Sequence, residues 1–367
     1  LALRKYERFK QPGVLAIMAL RSLMETCPDY KKEQVAALVA QHLGSGAGGL
    51  AQSDVNELNS AIEGAYDSLG NEAKRQISES LASSSATSNS LAMRLAQETL
   101  TIAAPILTNS PVLTTKDLKK LVREQSNGHR LAISNRDVLD REVTDLLIAL
   151  GDNEIKLSVS ANLGADIAPE DFDRLLKAMP EKMGSRIGHL RKSNDLVIQD
   201  LMRDKDDLVL GPDLEERVAA IPFDQWLSAV ELGQVNLDAA VSRMCTEKNL
   251  YDVVRLLSEF SGMSQDNVTC LMLRTDAMGI AILCKILGVG AMEYAILSRV
   301  RCIHLRMPQF MGELWARNFN ILDAEDAKRL YGLLMMKLQK AGKPEKSAPP
   351  KKAAKPAAAD KVHWLAQ

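Results

Sequence analysis

The chain has 367 residues, enough for two or three domains or one extended repeat array, and 46% of them are hydrophobic, ample for a core. Aromatic residues make up only 4%, which suits helices packed with Leu, Ala, Ile and Val, and a formal net charge of −1 excludes a global field that would recruit nucleic acid. The five cysteines (Cys27, Cys245, Cys270, Cys284, Cys302) are scattered, odd in number and without metal-site spacing, so they read as buried thiols of a reducing cytosol and exclude a disulfide framework.

The chain begins at Leu1 and not at Met, so it reads as a fragment or as a gene called short, and no signal peptide is read in it. Residues 13 to 43 read as two helices broken at Pro28-Asp29. The loop that follows, Gly44 to Gly49, matches the letters of the dinucleotide fingerprint G-x-G-x-x-G. The match is rejected on context: Val35 to Leu43 has helical character, no acidic residue follows about 20 positions on at the end of a second strand, and no Lys-Ser or Lys-Thr pair makes a phosphate loop. Residues 53 to 82 give two amphipathic helices, carried by Val55, Leu58, Ile62, Ala65 and Leu69, then Ile77 and Leu81. A Ser- and Thr-rich joint from Ser83 to Ser90 reads as a domain linker or a helix–helix loop.

A repeated unit follows. In His129 to Asn153, Leu131 and Ile133 lie on a short helix and Ser134 to Asp137 form a polar break. Leu139 enters a second helix, carried by Val143, Leu146, Leu147 and Leu150 at helical spacing. Asp140 is the expected N-cap, its carboxylate accepting from the first-turn amides, and Glu142 suits the positive end of the helix dipole. The preceding copy runs through Ala104, Ile106 and Leu107, a break at Asn109-Ser110-Pro111, then Leu113, Leu118, Leu121 and Val122, with Thr114 and Asp117 as a capping box. The following copy runs through Leu157, Val159, Asn162, Gly164, Ile167, Phe172, Leu175 and Leu176, with Pro169 in the first helical turn. A fourth, weaker copy is expected from Ile187 through Asn194 and Leu196 to Leu201. Asn109, Asn135 and Asn162 recur in the breaks, where Asn tolerates left-handed backbone and bonds its own main chain; a ladder of ligand-reading asparagines is the alternative. One such unit buries too few apolar side chains to offset the ordering of its own backbone. It must stack on neighbours, as in an α-solenoid.

Residues 202 to 212 are highly charged and read as a solvated loop. From Pro222 longer helices are expected: Phe223 to Leu232, Leu237 to Met244, Leu250 to Phe260, then Val268 to Leu273 and onward to Met292, with Ser264 and Asp323 as N-caps. The apolar run Gly279 to Leu297 is interrupted by Lys285 and Glu293, so it reads as a buried helix pair broken near Gly288 and not as a membrane span. Eight methionines between Met263 and Met336 serve as core filling or as a pliable partner-binding groove. From Ala341 onward Lys, Ala and Pro dominate, and a disordered tail is expected.

The expected fold class is therefore all-α: a solenoid of HEAT-like helix-turn-helix repeats followed by a C-terminal helical bundle. The segments are 1–90 (N-terminal helices), 91–220 (repeats), 221–340 (C-terminal helices) and 341–367 (tail). No catalytic set, cofactor site or metal site is read: His42, His129, His189, His304 and His363 form no metal-binding pair, and no nucleophile elbow, kinase signature or phosphate loop is present. His129 opens a helix beside Arg130 and reads as a surface residue, with phosphoryl or proton transfer as the alternative. Arg186, His189, Arg191 and Lys192 form one local basic cluster, the candidate partner-binding residues.

Three stretches, IAAPILTNSPVLTTKDL, HRLAISNRDVLDREVTDLLIALGD and NEIKLSVSANLGADIAPEDFDRLL, within about residues 96–202, resemble the bacterial family known as domain of unknown function 2336. The later VVRLLSEFSGMSQDNVTCLMLRTDAMGIAILCKILGV is similar to that family's later segment. The resemblance implies an all-helical bacterial repeat protein and supplies no catalytic residues. The expected function is a cytoplasmic, non-enzymatic scaffold that binds another protein on a concave face. Alternatives are a nucleic-acid-binding solenoid, with a basic stripe through Arg130, Arg136, Arg186, Arg191 and Lys192, and a small-ligand sensor or enzyme with a pocket in the C-terminal helices.

Overall fold

The computed structural model describes residues 29–46, 50–203, 212–216 and 221–341. The expected helix before Pro28, Cys27, loop residues 47–49, most of the charged run after Met202, and the tail with His363 lie outside the described residues. Those residues form nineteen α-helices and no strand; one isolated parallel bridge joins Leu139 and Ala165. The chain divides into two compact units, residues 1–179 and 180–367.

The first unit contains α1 (Asp29–Gly46), α2 (Gln52–Ala65), a 3-10 turn (Tyr66–Ser68), α3 (Asn71–Leu81), α4 (Asn89–Ala96) and α5 (Leu100–Asn109). It continues with α6 (Thr115–Glu124), α7 (Asn127–Ser134), α8 (Arg141–Leu150), α9 (Asn153–Ala161) and α10 (Pro169–Leu176). Its odd-numbered helices pack in sequence, α1 on α3, α3 on α5, α5 on α7 and α7 on α9, while α6 packs on α8. Fully buried Ile77, Ile106, Ile133, Val143, Leu147 and Val159 fill the space between them. Gly44 allows the closest approach: a Cβ there would overlap the Ser80 carbonyl oxygen of α3. Its lack of a side chain thus serves helix packing, in keeping with the rejection of a dinucleotide loop.

Polar rungs hold consecutive copies in register. Ser78 donates to the Ile102 carbonyl (2.5 Å), Thr108 to the Ala132 carbonyl (3.2 Å) and Ser134 to the Ser158 hydroxyl (2.8 Å), each 24 residues on. The breaks interlock as well. Arg136 donates to the carbonyls of Leu107 (2.7 Å) and Ser110 (2.6 Å). Asn162 donates to those of Ser134 (3.0 Å) and Arg136 (2.7 Å), while its own carbonyl accepts from the Gly164 amide at 2.9 Å. The joint at 83–90 is a helix–helix loop: Ser84 donates to Leu43 (2.9 Å), and Asn59 bridges Ala86 and Ser88.

Three local expectations need correction. The asparagines of the breaks do not use left-handed backbone: Asn135 has φ −87° and Asn162 φ −80°, and Asn109 ends a helix. Their role is to tie backbone together, within a helix for Asn109 and Asn135 and across copies for Asn162. Asp140 occupies the N-cap position of α8, but its side chain makes no capping bond and accepts from the Thr115 hydroxyl instead. The fourth copy is absent: residues 187–201 lie in one continuous helix, α11 (Glu181–Met202), and Asn194 is buried, donating to the Leu330 carbonyl at 3.4 Å. By contrast, the Thr114–Asp117 capping box and Pro169 at the start of α10 are present as read.

The second unit adds α12 (Phe223–Glu231), α13 (Leu237–Thr246), α14 (Leu250–Ser261), α15 (Gln265–Leu273) and α16 (Met278–Ile286) to α11. It ends with α17 (Ala291–His304), α18 (Gln309–Ile321) and α19 (Ala324–Lys340). Ser264 and Asp323 cap their helices, and Gly288, at φ +78°, makes the expected break between α16 and α17. Helices α12 and α13 end on left-handed Gly233 and Lys248, and α16 and α17 end on left-handed Gly288 and Arg306.

Candidate functional site

In the second unit, α11, α16, α18 and the turn after α15 enclose an open groove of about 330 Å³. Its floor and walls are mainly apolar: Leu190 and Leu196 from α11, Met278 and Ala281 from α16, Met311, Leu314, Trp315 and Ile321 from α18. The wall residues on α18 recur at helical spacing because one face of α18 packs on α17 through Gly312 and Phe319 while the adjoining stripe lines the groove. Leu196 (57% exposed), Leu314 (44%) and Ile321 (64%) consequently stand on the rim in water. Large apolar side chains grouped this way signal an interaction surface more than isolated ones do.

The groove is fixed from behind by Arg301 of α17, which is 1% exposed. Its guanidinium donates to the carbonyls of Met272 (3.0 Å), Arg274 (2.8 Å), Asp276 (3.0 Å) and Leu271 (3.4 Å) and lies 4.7 Å from the Trp315 ring centre. Burial pulls its pKa below the ordinary value. The charge is tolerated because carbonyl dipoles and an aromatic face replace water around it. It thereby clamps the 271–276 segment, which supplies the groove's polar lip. Nearby, Tyr294 stacks on Phe319 with ring centres 4.1 Å apart, and Lys285 donates to the Phe319 carbonyl at 3.0 Å. Desolvation raises the Tyr294 pKa, so it stays neutral.

On the lip, Arg274 is paired with Asp200 of α11 and with Asp276, and Asp276 also accepts from the Met278 amide at 3.0 Å at the start of α16. These charges are spent on each other. His189, Ser193, Thr275 and Asn318 complete the polar edge. The methionines divide: Met263 and Met272 are core, whereas Met278 and Met311 line the groove. The four described cysteines are buried free thiols; desolvation pushes the Cys245 thiol up to about 12, so it is not a nucleophile at neutral pH.

The basic cluster read from sequence is split over the faces of α11. Of its members only His189 lines the groove. Arg186 pairs with Asp323 (3.2 Å) and Asp326 at the start of α19. Arg191 is 3% exposed, near Asp195 at 3.5 Å, and Lys192 is exposed. In the first unit Arg136 is committed to two carbonyls, and Arg130 donates to the Val122 carbonyl at 2.8 Å and to Asn127 at 2.6 Å. His129, expected at the surface, is buried; its Nε2 donates to the Glu98 carbonyl (2.9 Å) and its Nδ1 accepts from the Ser126 hydroxyl (2.7 Å). Both nitrogens are thus engaged in holding α7. Among the described residues no group of His, Cys, Asp or Glu is placed to hold a metal, and no helix is long and apolar enough to cross a membrane.

The groove could not be read from the sequence because its walls come from segments far apart in the chain. The one local signal was the stripe Met311, Leu314, Trp315, Asn318, Ile321 and Leu322 on a helix already able to pack its other face.

Residues 102–186, from α5 into the first turn of α11, match the model of a family described as an uncharacterised protein conserved in bacteria (DUF2336). The resemblance read from sequence therefore holds over that segment; the match does not extend over the later stretch. No curated protein and no solved structure matches the chain.

Proposed function

We propose, with the DUF2336 segment at 102–186 as premise, that the chain is a non-enzymatic helical-repeat scaffold that binds another protein. In this reading the stacked pairs of the first unit form a HEAT-like α-solenoid, a fold class that chiefly offers extended surfaces for protein binding. The apolar groove of the second unit seats a partner's hydrophobic anchor. The observation that carries the reading is the groove itself: exposed Leu196, Leu314 and Ile321 around a Met- and Trp-lined floor, with the ion pairs of Arg274 on its lip already made. Such a surface rewards an apolar side chain and offers little to a charged substrate. Arg136 is half-buried and committed to two carbonyls, and Arg191 is buried, which weighs against a basic stripe for nucleic acid.

A small apolar ligand is the second reading, favoured by a volume at the lower end of the range for ligand pockets. The test is affinity capture from a bacterial lysate, with and without nuclease, using the wild type and the Leu314→Asp and Ile321→Asp variants. A stoichiometric protein that survives nuclease and is lost from both variants supports the scaffold. Partners that vanish with nuclease, or capture indifferent to both substitutions, overturn it.

A further inference from the structure

We infer that the anchor seated in this groove is the side chain of a tyrosine or tryptophan of the partner protein, an uncharged ring with a hydrogen-bonding edge. The inference rests on the groove as a protein-binding surface and goes beyond it by fixing the chemistry of what is bound.

The second unit holds its own comparison. Helices α12 to α15 and α16 to α19 follow one plan. The ends of α12, α13, α16 and α17, at left-handed Gly233, Lys248, Gly288 and Arg306, are closed by the same two backbone bonds: the left-handed residue donates three positions back and its successor five positions back. The side chains of Ser264 and Asp323 then cap α15 and α19. Helices α14 and α18 thus hold corresponding places, as do Phe223 and Met278, each the first residue of its helix. On α14 the third and sixth residues are Asp252 and Arg255. They pair at 3.2 Å, and the Arg255 guanidinium lies over the Phe223 ring, 3.8 Å from its centre. The chain fills that place with a flat group of its own. On α18 the third and sixth residues are Met311 and Leu314, and together with Met278 they line the open groove. This arrangement of helices therefore does not itself demand an apolar stripe, and the stripe signals binding.

Complementarity sets the occupant. Arg274 is paired with Asp200 and Asp276, and the Arg301 guanidinium donates to backbone carbonyls. An ion entering this mainly apolar groove loses its water and meets charges already engaged. The lining is nonetheless not wholly apolar. His189 and Ser193 of α11, Thr275 of the turn and Asn318 of α18 line it, and their side chains make no hydrogen bond to any described residue. A purely aliphatic anchor covers these groups and leaves them unpaired, which is costly. Tyrosine and tryptophan join an apolar body to a polar edge, and the thioethers of Met278 and Met311 make favourable contacts with a ring. At about 330 Å³ the groove has room for one such side chain.

The test is a nuclear magnetic resonance titration of the full chain carrying ¹³C-methyl methionine. The probes are the N-acetyl amides of tryptophan, tyrosine, phenylalanine, leucine and lysine. The tryptophan and tyrosine probes are expected to shift the Met278 and Met311 methyls and to leave core Met263 and Met272 in place. The tyrosine probe is expected to bind about fivefold tighter than phenylalanine, which lacks only the hydroxyl, and the leucine and lysine probes more weakly still. Thr275→Val with Asn318→Leu is expected to bring the tyrosine-to-phenylalanine ratio to about one while phenylalanine still binds. Leu314→Asp is expected to abolish every shift. Equal binding of tyrosine and phenylalanine by the wild type, a leucine or lysine probe that binds as tightly as tyrosine, or shifts confined to the core methionines overturns the inference. So does an elution volume that changes with concentration in the wild type and not in Leu314→Asp, which assigns the groove to a second copy. If no probe binds while Leu314→Asp still abolishes partner capture, the aromatic anchor falls and the groove's wider role stands.

Discussion

The two units hold themselves together over different distances along the chain. In the first, the polar cross-links named above join residues 24 to 41 positions apart: Ser78 to Ile102, Asn162 to Ser134, Ser84 to Leu43. In the second, Tyr331 donates to the Ser261 carbonyl across 70 residues, Arg274 pairs with Asp200 across 74, and Arg186 pairs with Asp326 across 140. The first unit is therefore tied copy to copy, and a local opening of one pair need not disturb the next but one. The second unit is closed end to end, since α11 at its start packs on α19 at its end. It is expected to unfold as a whole.

The largest effect that would sharpen this contrast is at Arg301. Arg301→Leu removes the donor from four carbonyls and is expected to destabilise the second unit by about 3–4 kcal/mol. Hydrogen exchange should show the loss spread from α11 to α19 with the first unit unchanged; a loss confined to residues 271–276 would break the comparison. Next is Asn162→Ala, which strips two carbonyls and one amide of their partner and is expected to cost about 2 kcal/mol. Exchange should rise only in α7 to α10, and a rise throughout the first unit would mean it is more cooperative than its short cross-links imply.

Thr114→Ala removes one half of the capping box on α6, at about 1 kcal/mol by chemical denaturation. The smallest effect concerns Asp323, whose carboxyl is held below its ordinary value of 3.8, first by the Asp326 amide and then by the Arg186 guanidinium. A lowered carboxyl contributes stability that is present above its unfolded value and is lost as pH falls through its folded value. Asp323→Asn, which can still cap, should cost under about 1 kcal/mol at pH 7, because the pair is largely exposed. The gap to wild type should narrow as pH falls below about 3.8 and close below the lowered folded value; a gap that persists in stronger acid would mean that shape and not charge holds α11 to α19.

Much of the first unit was legible because its contacts are local. Leu113, Leu139 and Ile167 are each buried, at 5%, 1% and 4% exposure, as the repeat spacing requires. The sequence misled where a residue's partner lay in another copy. Asn162 and Asp140 are turn and cap residues by type, yet their side chains answer to Ser134 and to Thr115. It misled again at residues 187–201, where an Asn between apolar residues imitates a break but is buried in a long helix against α19. Of the basic cluster, only His189 reaches the groove, since four residues within seven positions of a helix cannot all share a face. The groove itself depends on α11 meeting α16 and α18, an association no spacing in one segment records.

The interlocking of the breaks has a consequence for how the first unit can change in length. Arg136 holds carbonyls 29 and 26 residues behind it, and Asn162 holds carbonyls 28 and 26 behind it. Remove 26 residues, one helix pair, and the grip of Asn162 falls within a residue of the carbonyls that Arg136 now holds. The array can thus lose or gain a pair as a chain loses or gains a link, each new neighbour finding the same two oxygens waiting.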